Sequence, residues 1–362
     1  MKKYRIVVIP GDGIGPEIVN ATVEILEKLQ SLSGNFKLDF EFHEAGAAFY
    51  LKSGEAISPG TLKAIKEANA TLKGPSGLPN VRLPDGTEAG LLGGTLRLGF
   101  DLYANLRPIR LFPNVPTPLR NREADSIDYL FLRENSEGLY LSRGKGVVTE
   151  QAAMDTLFLT RKGCERISRF AFKLAKEKER GAPEDGKKRV TLFDKANVLR
   201  SFSFFRRIFL EIAQETPEVE AEFIHADAAA AALITHPEHF QVVVTENMFG
   251  DILSDLAGAT IGGLGMCPSG NIGEDLAYFE PIHGSAPRSV GKNRANPISQ
   301  IRSAALMLDY LGEKKEAMFL EKATWSALEN GRFIVSSAGK IEGGGKVVVE
   351  AVCEELNRIY LK

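Results

Sequence analysis

"FQVVVTENMFGDILSDLAG", residues 240–258, reads as a strand, a turn and then a helix. In the helical part Phe249, Ile252, Leu253 and Leu256 are the apolar positions. Asp251 and Asp255 stand four apart, so they share one face. Like charges at that spacing weaken an isolated helix by roughly a few tenths of a kcal/mol. A pair of carboxylates in so apolar a stretch therefore calls for a compensating partner.

The same alternation runs outward in both directions. "YRIVVI" (4–9) reads as a buried strand, closed by the turn-rich "PGDGIGP"; Ile18, Ala21, Thr22, Ile25 and Leu29 then recur at helical spacing, with Glu17 in the first turn. "KLDFEFHEA" (37–45) reads as a strand and "SPGTLKAIKEAN" (58–69) as a capped helix. "DYLFLREN" (128–135) is a further strand, and "KGCERISRFAFKLAKEKER" (162–180) is a long amphipathic helix running into a solvated loop. "RVTLFDKANV" (189–198) begins another strand, turn and helix. Strands alternating with helices predict an α/β fold.

The chain has 362 residues, 44% hydrophobic and 25% charged, enough for about two domains. Its net charge of −2 gives no general basic field for nucleic acid or an anionic membrane. The longest all-apolar run, "AAAAALI" from Ala228, is far short of a membrane span. The N-terminus lacks the apolar core of a signal peptide, and the three cysteines form no CxxC pair. A cytoplasmic setting is expected.

Individual motifs are ambiguous. "IPGDGIGPE" does not match the GxGxxG dinucleotide fingerprint and reads as a tight turn. His236 and His239 in "HPEH" lack a third ligand, and Pro237 breaks the helix that would aim both rings. Arg97, Arg107 and Arg133 follow apolar stretches, which predicts burial and pairing, with carboxylates as suitable partners. Lys195 follows a strand, where α/β folds collect ligands, and is either solvated or a desolvated base. Asp227 precedes a polyalanine helix, as its N-cap or as the third member of an oxygen site with Asp251 and Asp255 suited to Mg2+ or Mn2+. The long loop 279–297 offers His283 for stacking, and Arg288 and Arg294 for a phosphate.

Taken together, "IPGDGIGPE", "DLYANLRP", "DKANV", "NMFGDILSDLAG" and "EPIHGSAP" followed by "ANP" resemble, in order, the decarboxylating 2-hydroxyacid dehydrogenases that act on isopropylmalate, isocitrate and related malates. The resemblance spans nearly the whole chain. It implies a doubly wound fold without a GxGxxG unit, two domains and a central cleft. Residues 1–101 and 261–362 would form the cofactor-binding domain, and 102–260 the substrate, metal and dimerisation domain. It implies a homodimer, or a tetramer, with shared active sites. Arg97, Arg107 and Arg133 would hold substrate carboxylates, and Tyr140 would protonate the product carbon. Lys195 and Asp227 would come from the neighbouring subunit as the proton-transfer pair. Asp251 and Asp255, completed by Asp227, would hold Mg2+ or Mn2+. Ile14, Glu280, His283, Gly284, Ser285, Ala286 and Asn296 would bind the dinucleotide. The reaction implied is oxidation of a C3-substituted malate at C2, followed by loss of CO2.

Two departures bear on specificity. NAD-dependent members carry Asp directly after "HGSAP"; here Arg288 stands there, aided by Arg294, so NADP+ is expected over NAD+. In "TEAGLLGGTLR" (87–97), Leu91 and Gly93 replace the Ser and Asn of isocitrate enzymes. Glu88, Leu91, Leu92 and Val198 instead match the residues that surround an isopropyl group, with Gly93 and Gly94 as an insertion. An apolar substituent is expected, 3-isopropylmalate first, ahead of isocitrate, homoisocitrate, tartrate and D-malate. A silent regulatory subunit is the alternative outside catalysis, but Tyr140, Lys195, Asp227, Asp251 and Asp255 are all present.

Overall fold

The computed structural model describes every residue except Asp85 and Lys362. In chain order the strands are β1 (Lys2–Ile9), β2 (Phe36–Phe42), β3 (Ala70–Lys73), β4 (Ala104–Arg110), β5 (Asp128–Glu134), β6 (Val147–Val148), β7 (Ala153–Met154), β8 (Arg189–Asp194), β9 (Glu220–His225), β10 (Val242–Thr245), β11 (Pro268–Ile272) and β12 (Ala277–Pro281). The helices are α1 (Gly15–Ser33), α2 (Ala47–Ser53), α3 (Pro59–Glu67), α4 (Leu92–Gly99), α5 (Arg161–Glu177), α6 (Arg200–Ala213), α7 (Ala226–Thr235), α8 (Asn247–Thr260), α9 (Ile298–Tyr310), α10 (Lys314–Glu329) and α11 (Gly344–Tyr360).

All strands but the β6–β7 hairpin join one sheet in the order β2-β1-β3-β12-β11-β4-β5-β10-β8-β9. Pairing is parallel except around β11, which runs antiparallel to both β12 and β4, and between β4 and β5. Strands from 1–101 and 261–362 occupy one half of the sheet, and strands from 102–260 the other. No gap separates them: β11 and β4 are hydrogen-bonded across the midline.

Side-chain alternation along the strands explains the layers. On β1, Ile6 and Val8 enter one core, while Val7 and Ile9 enter another. On β10, Val243 faces one side and Val242 and Val244 the other. Such strands are buried on both faces, so helices must cover both. Local signals set the helix starts. Ser58 Oγ accepts from Thr61 N at 3.0 Å, and Thr160 Oγ1 from Gly163 N at 3.0 Å. The Glu246 carboxylate accepts from Met248 N at 3.0 Å and Phe249 N at 3.2 Å, which starts α8.

The "PGDGIGP" turn is a junction. Gly13 has φ +60°, and a Cβ there would lie 1.9 Å from Ser285 O, so only glycine fits. Asp12 is buried and accepts from Ala47 N, Ala48 N and Gly77 N at 2.7–2.8 Å. Ser285 Oγ donates to Gly77 O, while Ile14 N donates to Ser285 O at 2.9 Å. Three loops from distant parts of the chain are thereby tied at Gly77.

Candidate active site

A cleft of about 1160 Å3 is lined by side chains from both halves of the sheet, including Arg97, Arg107, Arg133, Tyr140, Asp251 and Glu280. Arg107 on β4 and Arg133 on β5 are buried, as expected of arginines carried by apolar strands. Helix α8 lies against them and presents Asn247, Asp251, Ser254 and Asp255, a stripe at helical spacing. Arg133 donates through Nε and Nη2 to Asn247 Oδ1 at 3.0 and 2.8 Å, and its Nη1 makes a close ion pair with Asp251 Oδ1. Arg107 donates to Asn105 Oδ1 and Ser254 Oγ, both at 2.6 Å, and to Asp255 Oδ1 at 3.2 Å. Its Nη2 lies 3.5 Å from Asp251 Oδ1. Arg97, in the last turn of α4, donates through Nε to Asn271 Oδ1 at 3.0 Å and Tyr278 OH at 3.1 Å.

Two guanidiniums thus offset the repulsion between Asp251 and Asp255. Burial would raise the Asp251 pKa, but Arg133, Arg107 and Arg97 outweigh it and hold the carboxyl below its ordinary range. Asp255 is farther from compensation: burial and then Asp251 leave its pKa raised. Burial lowers the pKa of Arg133, as do the neighbouring cations Arg97 and Arg107. A guanidinium nevertheless stays charged in a protein, so a cluster of cations faces the cleft. Tyr140 OH donates to Asp251 Oδ2 at 3.2 Å, and Arg133 lies over its ring at 5.6 Å. Burial, followed by the Asp251 charge, raises the Tyr140 pKa, so the phenol keeps its proton at neutral pH.

Each implied residue has a definite place. Glu280 lies on β12 rather than on the loop after it, and its carboxylate bridges Lys73 Nζ at 2.6 Å and Arg97 Nη2 at 3.3 Å. Burial works against its charge, yet Lys73 and Arg97 bring its pKa down to about 2. Lys73 ends the buried strand β3, lines the cleft and was missed in the sequence. The signal was present: a cation closing an apolar strand, as Arg133 does on β5. His283 lines the cleft with Nδ1 2.9 Å from Gly284 O, and burial lowers its pKa, which favours the neutral ring. Ser285 is buried by the contact with Gly77. Ile14 is buried beside it at the start of α1. Asn296 is committed to structure, with Oδ1 accepting from Ile298 N at 3.0 Å and Nδ2 donating to Gly339 O at 3.2 Å. Ala286, Arg288 and Arg294 lie on the exposed loop, where Arg294 pairs with Glu342 at 3.0 Å.

Several expectations are corrected. Leu92 is not a pocket residue: it is fully buried in the core with Leu96, one helical turn on. That register leaves Leu91 as the leucine facing the cleft, with Gly93 and Gly94 in the first turn of α4 beside it. Asp227 is not an N-cap; His225 holds that position and Asp227 lies in the first turn of α7. Ile252 does not anchor α8, being 58% exposed, whereas Leu253 is buried. His239 is held by Glu184 at 2.7 Å and Glu222 at 2.9 Å, in a surface network away from the cleft.

Lys195 and Asp227 pair with each other, Nζ to Oδ1, at 2.7 Å. They do not line the cleft of their own chain, and neither does Val198, which is 67% exposed. Among the described residues no three His, Cys, Asp or Glu side chains converge as a metal site. The donor set nevertheless fits an oxygen-preferring cation. Asp251 and Asp255 offer carboxylate oxygens side by side, and Mg2+ or Mn2+ keeps waters and accepts substrate oxygens for the rest. No helix among the described residues is long and apolar enough to cross a membrane.

Comparison with known proteins identifies the family. The family described as isocitrate/isopropylmalate dehydrogenase matches residues 5–345. A 3-isopropylmalate dehydrogenase of Methanothermobacter thermautotrophicus is 42% identical over 342 residues, covering 94% of this chain and 95% of the relative. An isocitrate dehydrogenase [NADP] of Thermus thermophilus is 40% identical over 357 residues, covering 98% of this chain and 68% of the relative. The crystal structure of isocitrate dehydrogenase from Methylococcus capsulatus superposes with a TM-score of 0.85 at 36% identity, covering 98% of this chain and 99% of that one.

Proposed function

The chain belongs to the isocitrate/isopropylmalate dehydrogenase family, whose members are NAD(P)- and divalent-metal-dependent decarboxylating dehydrogenases, and we propose that it oxidises and decarboxylates a C3-substituted malate with NADP+. The observation that carries this reading is the α8 stripe, whose Asp251 lines the cleft and pairs with Arg133, with Asp255 beside it pairing with Arg107.

Arg107, Arg133 and Arg97 hold the two carboxylates of the malate core, each guanidinium already oriented by Asn, Ser or Tyr acceptors. Preoriented donors avoid reorganisation as the reaction proceeds. Asp251 and Asp255, with Asp227 of a second copy, would hold Mg2+ or Mn2+, which supplies Lewis acidity at the C2 oxygen. Lys195, positioned by Asp227, would take the C2 hydroxyl proton, and a bound nicotinamide would supply the hydride acceptor for C2. Tyr140, kept protonated by its surroundings, returns a proton to C3 after CO2 departs. Glu280 keeps Lys73 and Arg97 in place at the floor of the cleft. Leu91 and Glu88 border the substituent.

Arg288 and Arg294 provide cations for a 2′-phosphate on the loop that follows His283, which supports NADP+ over NAD+. The exposed Val198, Leu199 and Ile252, and the placement of Lys195 and Asp227 outside their own cleft, support a homodimer with shared sites. The half-sheet containing 1–101 and 261–362 then serves as the cofactor-binding domain, and 102–260 as the substrate and dimerisation domain. Initial rates on a panel of C3-substituted malates, with each nicotinamide cofactor and Mg2+ or Mn2+, test the reading. Reduced cofactor and CO2 should appear together. Oxidation without CO2 release, or no turnover on any malate, would refute it.

A further inference from the structure

We propose that Asn271 is a positioning residue that sets Arg97 and Arg107 in a fixed relation to each other. This rests on the reading of the chain as a substituted-malate dehydrogenase, in which those two arginines hold the malate carboxylates.

Strand β11 is antiparallel to both its neighbours and lies where the two halves of the sheet meet. On it Asn271 stands opposite Asn105 of β4, and Asn105 stands opposite Arg133 of β5. Alternation along a strand puts Arg107 on the same face as Asn105, and Asn135 on the same face as Arg133. Polar side chains from three adjacent strands therefore share one face. Asn271 and Asn105 are fully buried there. They stand behind the residues that line the cleft, among them Arg97, Arg107 and Arg133.

The Asn271 amide is the junction of this row. Its Oδ1 accepts from Arg97 Nε at 3.0 Å, Asn105 Nδ2 at 2.9 Å and Asn135 Nδ2 at 3.0 Å. Its Nδ2 donates to Glu280 Oε1 at 3.2 Å. Donors at one end and a carboxylate at the other leave the amide a single orientation. Asn105 passes the constraint on. With Nδ2 turned to Asn271, its Oδ1 faces Arg107 Nε at 2.6 Å. Arg97 belongs to α4 and Arg107 to β4, on either side of the boundary between the two halves. One buried amide thus relates two cations from different halves of the chain. A malate core has two carboxylates at a fixed separation, so the relation between the cations matters as much as the aim of each.

The partners of Asn271 do not depend on it for satisfaction. Arg97 Nε also donates to Tyr278 OH at 3.1 Å, Asn105 Nδ2 to Ser269 Oγ at 2.7 Å, and Asn135 Nδ2 to Leu102 O at 3.2 Å. Glu280 keeps Lys73 at 2.6 Å. Removing the amide strands no donor and no charge, so the cost falls on alignment more than on stability.

The test measures initial rates with Mg2+ and the preferred nicotinamide cofactor. The substrate is whichever of 3-isopropylmalate, isocitrate, homoisocitrate, tartrate and D-malate the wild type turns over fastest. Asn271→Ala should lower kcat/KM for that substrate about tenfold to a hundredfold, the cost of a misplacement of about 1 Å. The KM for the dinucleotide should stay near its wild-type value. In an Arg97→Lys background the same substitution should cost at least about threefold less, because lysine lacks the Nε that Asn271 holds. Two effects that simply multiply, or a dinucleotide KM that rises as far as the substrate KM, overturn the assignment and leave the dehydrogenase reading intact. Thermal melts of Asn271→Ala and Asn271→Ser report folding. Failure of both to fold also overturns it, by making Asn271 a residue of the fold. A wild type inactive on all five compounds refutes the dehydrogenase reading, and the positioning role with it.

Discussion

Replacing Asp251 with asparagine should damage catalysis far more than folding, and the structure sets the two magnitudes. Removing one partner of a fully buried ion pair costs about 3–5 kcal/mol. The Asp251 side chain is 38% exposed, so water screens the change. Arg133 keeps both bonds to Asn247, and Arg107 keeps Asn105 and Ser254. One charged contact is weakened and no cation is stranded, so the loss is about 1 kcal/mol. In a chain of this size that lowers Tm by no more than about 3 °C. A metal ligand supplies several kcal/mol of transition-state stabilisation, so kcat/KM should fall about 10²–10³-fold. The Mg2+ concentration for half-maximal rate should rise in parallel. The assay pairs a thermal melt with initial rates across a Mg2+ titration. A Tm drop above about 10 °C with an unchanged Mg2+ requirement would show that Asp251 belongs to the fold and not to a metal site.

Three further outcomes follow from particular contacts. Arg288→Asp should move the NADP+/NAD+ ratio of kcat/KM at least about tenfold toward NAD+; an unmoved ratio would remove Arg288 from the cofactor site. Mixing Lys195→Ala with Asp251→Asn subunits, each nearly inactive alone, should restore about a quarter of wild-type activity after exchange, because half the dimers carry one intact shared site; no recovery despite subunit exchange would place both residues in one chain's site. Glu134 is buried on β5, and burial lifts its pKa from 4.5 to about 7 against hydrogen bonds from Ser136 and Glu137. The unfolded chain then releases this proton before the folded one does, so stability falls as pH rises from 4.5 to about 7 and is level above. The span corresponds to about 3 kcal/mol. Urea unfolding between about pH 5 and pH 8 should show a shallower slope in Glu134→Gln than in wild type; equal slopes would refute the assignment.

The sequence reveals groups whose chemistry and local spacing act together. Asp251 and Asp255 at four-residue spacing had to share a face, and their need for compensation was met by Arg107 and Arg133. Arginines after apolar stretches had to be buried with partners: Arg107 and Arg133 are, while Arg97 is paired but only partly buried. The fold class followed from alternation, since each strand-turn-helix segment carries its own period. What stayed hidden depends on contacts distant in the chain. Leu91 and Leu92 are the same residue type side by side, and only the packing of Leu92 with Leu96 decides which one faces the cleft. Lys73 lies on a four-residue strand too short to show a period, and its partner Glu280 is 207 residues away. Asp227 had the right type for an N-cap, but α7 begins two residues earlier than that reading requires.

Gly77 is bonded through both flanking peptides: its N–H donates to Asp12 and its C=O accepts from Ser285, while Glu88 and Leu91 rest against its α-carbon. The loop assigned to the dinucleotide and the wall assigned to the substrate are thus fastened to one residue. A dinucleotide that displaces Ser285 must also shift the substrate wall, so the two affinities are coupled. Thermodynamic linkage makes the coupling reciprocal: whatever factor the dinucleotide applies to substrate affinity, the substrate applies to dinucleotide affinity. Equilibrium titrations performed in both orders should return one number, and it should approach unity in Ser285→Ala.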